Sequence, residues 1–129
     1  MDQDNISETI IAMEKAALDE LIKGNYSCFL EIYAEDITYF DPFQEKRFDG
    51  LKKVQAYYKS IEGPAKIAHC EMINPVVQVA GKMAILSYNL ISFFGSEVFR
   101  EKCTEVYRQE SDQSWKIIHS HWSIVQTVS

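Results

Sequence analysis

The chain reads as an α+β domain, and three observations lead there. Up to about residue 62 the apolar residues recur mainly at helical spacing. After Pro64 they adopt strand spacing, in segments rich in Val, Ile, Tyr, Phe and Thr. Short turn signals at Gly81, Gly95-Ser96 and Ser111-Asp112 divide that second half into four. A helical half followed by a four-stranded antiparallel meander is an α+β arrangement. With 129 residues, no internal repeat, no low-complexity stretch and no linker, a single domain over 1–129 is expected.

The first helix is predicted over about 6–22, where Ile6, Ile10, Ile11, Leu18, Leu21 and Ile22 are spaced by charges. Asn5 with Glu8 resembles a capping box, and Gly24 supplies a left-handed stop. A second helix follows over about 25–34 on the stripe Cys28, Phe29, Ile32 and Tyr33. A strand then runs from Ile37 and ends at Asp41-Pro42, because proline has no N–H for a sheet ladder. A short strand is expected around Lys46-Arg47-Phe48. A third helix, about 51–62, carries Leu51, Val54, Tyr58 and Ile61, with Gly63-Pro64 ending it. The four strands of the second half are predicted over 66–80, 82–94, 97–109 and 115–126.

Composition is that of an ordinary soluble globular chain, with 47% apolar and 25% charged residues. A net charge of −6 argues against nucleic acid or an anionic membrane as partner, since both need a basic patch. The apolar runs are too short to span a bilayer, and Met1-Asp2-Gln3-Asp4 is acidic, unlike a signal peptide. Cys28, Cys70 and Cys103 are odd in number and widely spaced, indicating neither a disulfide framework nor a zinc site. A cytoplasmic protein with reduced, core-filling thiols is expected.

Asp41 is the first residue that points to chemistry. A carboxylate at the end of the aromatic run Tyr39-Phe40 stands at the edge of an apolar wall, where desolvation suits a general base. The competing reading is an Asp-Pro turn with a solvated carboxylate. The second acid is Glu105. In 99–107 the even positions carry Arg100 and Lys102 and should face water, which turns Phe99, Glu101, Cys103, Glu105 and Tyr107 inward. A carboxyl so buried needs a partner or its proton. In the last strand simple alternation puts Trp115, Ile117, His119, His121 and Ser123 on one face, and Ile118, Ser120, Trp122 and Ile124 on the other. No further ligand is spaced to help His119 and His121 hold a metal, so packing, cross-sheet hydrogen bonding or an oligomer interface is expected. Segment 82–94 is apolar on both faces: Ala84, Leu86 and Leu90 against Met83, Ile85 and Ile91. Both faces then require cover, from the helices on one side and from a second subunit on the other.

These strings resemble the nuclear transport factor 2-like superfamily, in two of its branches. Gly24-Asn25-Tyr26, Tyr33-Ala34-Glu35-Asp36-Ile37-Thr38, Phe40-Asp41-Pro42, Gly50 and Tyr57-Tyr58 are similar to the first half of ketosteroid isomerase. Asn74-Pro75-Val76-Val77-Gln78-Val79-Ala80-Gly81 and Trp115-Lys116-Ile117-Ile118-His119-Ser120-His121 are similar to the association domain of calcium/calmodulin-dependent kinase II. The resemblance implies three helices wrapped in a strongly curved sheet to form a cone with a pocket. From the isomerase it implies Asp41 as catalytic base, Glu105 as the neutral acid of an oxyanion hole, and Tyr58 as a pocket tyrosine of that network, with no cofactor or metal. The chain departs from the isomerase at Ala17, where that family has its oxyanion tyrosine. From the association domain it implies a pocket whose arginines are replaced by Glu105 and Trp122, with Tyr88 as a looser match. It also implies a homodimer through the outer sheet face.

The candidate pocket wall is completed by Tyr39, Tyr57, Tyr88, Tyr107 and Trp122. Three functions follow as expectations. One is an isomerase- or polyketide cyclase-like enzyme (SnoaL-like) that moves a proton next to a carbonyl. The others are a module that binds a small hydrophobic or cationic molecule and an assembly domain with a vestigial pocket.

Overall fold

A computed structural model describes residues 3–61 and 67–126. In chain order the elements are α1 (Gln3–Ile22), α2 (Ser27–Ile32), β1 (Tyr33–Phe40), β2 (Phe48–Asp49), α3 (Leu51–Ser60), β3 (His69–Ala80), β4 (Met83–Phe94), β5 (Glu97–Gln109) and β6 (Trp115–Ile124). The strands form a six-stranded sheet in the order β2-β1-β6-β5-β4-β3. Neighbours are antiparallel except β1 and β6, which run parallel. The sheet is curved, and the helices lie within its concave side, α1 against β3 and α3 against β1. The expected α+β cone is the observed fold.

Two local rules explain most of the architecture. The hairpins β3–β4 and β4–β5 turn at Gly81 and Gly95, both at positive φ (60° and 59°), where a Cβ is penalised. Register shifts at Ile73/Val76, Val106/Tyr107 and Tyr33/Thr38 bend the long strands, as bulges do. The inner face buries Ile10, Phe29, Ile37, Leu86, Tyr107 and Ile117, each stabilising the fold by about 1.5–3 kcal/mol. The outer face leaves Val76, Met83, Ile85 and Val98 exposed. Among the described residues no helix is long and apolar enough to cross a membrane.

Four sequence expectations need correction. Asn5 is not a cap: α1 begins at Gln3, and the Asn5 carbonyl accepts from Thr9 Oγ1 inside the helix. The second helix ends at Ile32, since Tyr33 has extended dihedrals and opens β1. The short strand lies at Phe48–Asp49, one step beyond the basic pair. In β6 the simple alternation breaks, because Val106 pairs with His119 and Tyr107 with Ile117, leaving Ile118 as an extra residue. Trp115 and Ile117 therefore face inward with Ser120 and Trp122, while His119 and His121 turn outward. There His119 Nδ1 meets Thr38 Oγ1 across the sheet at 2.7 Å. The expected stop at Gly63-Pro64 lies outside the described residues.

Candidate functional site

Between the curved sheet and the helices lies a partly open cavity of about 240 Å³. Its wall is aromatic: Tyr39 from β1, Tyr57 and Tyr58 from α3, Phe29 from α2, Phe99 from β5 and Trp122 from β6. Among the described residues, two carboxyl groups line it, Asp41 and Glu101, and no Lys, Arg or His does.

Asp41 follows directly on β1, where Pro42 ends the ladder as the sequence predicts. Its Oδ1 accepts from the Phe43 N–H at 2.9 Å, and its Oδ2 accepts from the Tyr39 hydroxyl at 3.0 Å. Tyr39 in turn is reached by the Tyr58 hydroxyl at 3.5 Å, and Tyr58 Oη lies 2.8 Å from Tyr33 Oη. With Tyr39 donating to the carboxylate, each phenol can pass its hydrogen bond toward Asp41. Burial raises all three phenols above their ordinary range, so they are donors and not anions. Tyr57, half-buried, is pushed up to about 12 by burial and by the nearby Asp41 charge.

Glu101 sits on the inward face of β5 between Phe99 and Cys103, as alternation requires. Burial first, and then the charge of Asp41, raise it from 4.5 to about 7.

Glu105 is fully buried and does not line the cavity. Its Oε1 accepts from Ser120 Oγ at 2.7 Å and from Cys103 Sγ at 3.2 Å, while Oε2 has no partner among the described residues. Ser120 Oγ also accepts from Trp122 Nε1 at 3.0 Å, so Glu105 is linked to the cavity wall through Ser120 and Trp122. Behind it lies Glu14 of α1, whose two oxygens accept from Tyr88 and Tyr107, each at 2.6 Å. Burial raises Glu14 from 4.5 to about 7, and burial together with the Glu14 charge raises Glu105 well above the usual carboxyl range. Glu14, Cys103 and Glu105 bring potential ligand atoms within 4.8 Å of one another. Burial also raises the Cys103 thiol, so this cluster favours bound protons, whereas a metal needs deprotonated ligands.

Of the residues singled out from sequence, Asp41, Tyr58, Tyr39, Tyr57 and Trp122 thus meet at one cavity. Tyr88 and Tyr107 do not: they hold Glu14 in the interior. Sequence reasoning missed Glu14 and Glu101 as groups of interest. For Glu14 the signal was its place in the stripe Ile6, Ile10, Glu14, Leu18 of α1; for Glu101 it was the same alternation that turned Glu105 inward.

The SnoaL-like domain family matches residues 10–127. A crystal structure of a candidate ketosteroid isomerase from Parabacteroides distasonis is 43% identical, with a TM-score of 0.86 over 94% of this chain and 89% of that one. A nuclear transport factor 2-like protein of unknown function from Pseudomonas putida is 22% identical (TM-score 0.81, covering 94% and 87%). The association domain of the C. elegans calcium/calmodulin-dependent kinase II is 18% identical (TM-score 0.79, covering 94% and 97%). The last two carry the fold alone. No curated protein matches the chain.

Proposed function

We propose that this chain, which belongs to the SnoaL-like domain family, uses its pocket for cofactor-free proton transfer next to the carbonyl of a small hydrophobic substrate. One observation carries the reading: Asp41 lines an aromatic cavity with both carboxylate oxygens engaged by donors, Tyr39 and the Phe43 N–H. That arrangement fixes the carboxylate's direction while leaving it at the cavity surface, the geometry a proton-abstracting base needs. The likeness to the candidate ketosteroid isomerase of P. distasonis supports the same chemistry.

In this reading a flat substrate lies against Trp122 and the tyrosines. Asp41 removes a proton from the carbon α to the carbonyl and returns it to another carbon. The electron pair moves onto the carbonyl oxygen as an enolate, which the pocket must stabilise with hydrogen-bond donors. Tyr58 belongs to the donor chain that ends on Asp41, and Glu105 supports the wall through Ser120 and Trp122. The cavity, about 240 Å³, is smaller than the roughly 300–1,000 Å³ of common ligand pockets, which favours a one- or two-ring substrate.

A second reading, a binding module without turnover, draws on Ala17 at the position where the resemblance expects an oxyanion tyrosine. The two separate by solvent exchange. Incubation with a cyclic ketone in D₂O should place deuterium at the α carbon, followed by NMR, and Asp41→Asn should stop it. Saturable thermal stabilisation by the ketone without any deuterium uptake would favour the binding module.

A further inference from the structure

Resting on the reading above, we propose that Glu101 is the pocket's proton-bearing partner to Asp41, a carboxylic acid that donates a hydrogen bond to the substrate's carbonyl oxygen as the enolate forms.

Asp41 follows β1 and Glu101 lies on β5, with β6 between them; Phe40 is level with His121, and Glu101 with Ile124. Phe43, two residues past Asp41, stacks on Phe99, two residues before Glu101, with ring centroids 6.3 Å apart and planes at 16°. The stack ties the two acid-bearing segments together at the same cavity.

The division of labour follows from hydrogen bonds. Asp41 is held by two donors, Tyr39 and the Phe43 N–H. Glu101 is partly buried and, among the described residues, makes no hydrogen bond or ion pair. Among the described residues, the groups around Glu101 offer it no positive charge. Tyr39 comes from β1, Tyr57 and Tyr58 from α3, and Tyr26 from the turn before α2. From its own strand, Cys103 and Glu105 lie deeper on the same face, and Arg100 and Lys102 are exposed on the opposite one. β4 supplies Leu90 and Ser92, and β6 supplies Trp122, none of them charged. With no cation at the cavity among the described residues, burial and the neighbouring Asp41 both favour the protonated form of Glu101, which has no donor to offset them. The raised Glu101, at about 7, agrees with this assignment.

The role also fills a gap. Ala17 brings no hydroxyl to the pocket, and Glu105 is buried away from the cavity. Among the described residues, Glu101 is the carboxyl besides Asp41 that reaches the cavity surface. The proton balance closes: Asp41 takes the α proton, the C–H pair becomes the enolate double bond, and the carbonyl π pair moves to oxygen. Glu101 donates a hydrogen bond to that oxygen and retains its proton as Asp41 reprotonates the substrate.

Two measurements test this. In carboxyl-¹³C NMR, Glu101 should titrate near 7 in the wild type and shift downward in Asp41→Asn; titration at an ordinary carboxyl value would overturn the proposal. In the exchange assay with cyclohex-3-enone, wild-type kcat should fall as pH rises through about 7. Glu101→Gln keeps a donor and should lose that basic limb, while Glu101→Leu should lower kcat by about 100- to 1,000-fold with little change in KM. If Asp41→Asn is inactive while Glu101→Leu keeps the wild-type rate and basic limb, the Glu101 role alone falls. Exchange unaffected by Asp41→Asn, or absent from the wild type, removes the carbonyl reading and the Glu101 role with it.

Discussion

Tyr39 and Asp41 are two residues apart at the end of β1, and the Tyr39 hydroxyl donates to Asp41 Oδ2 at 3.0 Å. Strand alternation puts both on the inner face, and Pro42 ends the strand so that the carboxylate stands at its tip. The pair also joins the buried tyrosine chain to the cavity surface, because Tyr58 reaches Tyr39 from α3.

Tyr39→Phe should therefore act on both sides of that hydroxyl. It removes a donor from a carboxylate and an acceptor from Tyr58. The expected loss of unfolding free energy is about 1.5–3 kcal/mol, the usual range for a hydrogen bond to a charged group. Urea denaturation should show a lower midpoint with an unchanged slope. A midpoint equal to the wild type would mean that the hydroxyl contributes nothing to this end of the sheet.

The buried acid pair sets a pH dependence of stability. Glu14 is raised in the folded state from 4.5 to about 7, chiefly by burial. Its folded form therefore holds the proton more tightly than the unfolded chain does. The resulting stability is fully present below about 4.5 and is lost as pH rises through about 7. At about 1.4 kcal/mol per pKa unit the span is on the order of 3 kcal/mol. Glu14→Gln keeps the shape and one acceptor for the phenols of Tyr88 and Tyr107, and it should flatten that decline. Chemical denaturation at pH 5, 6, 7 and 8 checks it, and an equally steep fall in the variant would contradict the assignment.

Ala17→Tyr tests whether restoring the tyrosine of the isomerase-like pattern is useful in this chain. Ala17 is buried in the core and does not line the cavity. A phenol there must displace packed neighbours, at a cost of about 1–3 kcal/mol. The expected outcome is a lower melting temperature and no gain in proton-exchange rate. A faster variant of unchanged stability would show that room for the ring exists.

How far the sequence could be read depends on what sets each feature. β5 was legible because its cations, Arg100 and Lys102, mark the wet face, and simple alternation then turns Glu101, Cys103 and Glu105 inward. β6 was not, because the extra residue at the bulge is Ile118, an ordinary strand former that no local rule marks. Once Ile118 is skipped, the two histidines move outward and Ser120 moves in to meet Glu105. The end of α2 was misread because Tyr33 continues an apolar helical stripe and also begins an inner strand face. Asp41 was visible through its proline. The part Glu101 plays was hidden, since its meeting with Asp41 depends on β6 lying between two strands far apart in sequence. Glu14 passed as one acid on an amphipathic helix, and only the opposing Tyr88 and Tyr107 distinguish it.

The most direct test of Asp41 as the working base is the conversion of a β,γ-unsaturated cyclic ketone to its conjugated isomer, followed by ultraviolet absorbance. With Asp41 as the base, the wild type should show measurable turnover and Asp41→Asn should lose about 100- to 10,000-fold, the range expected for a positioned acid–base group. Equal rates in the two proteins, or none in either, would contradict it.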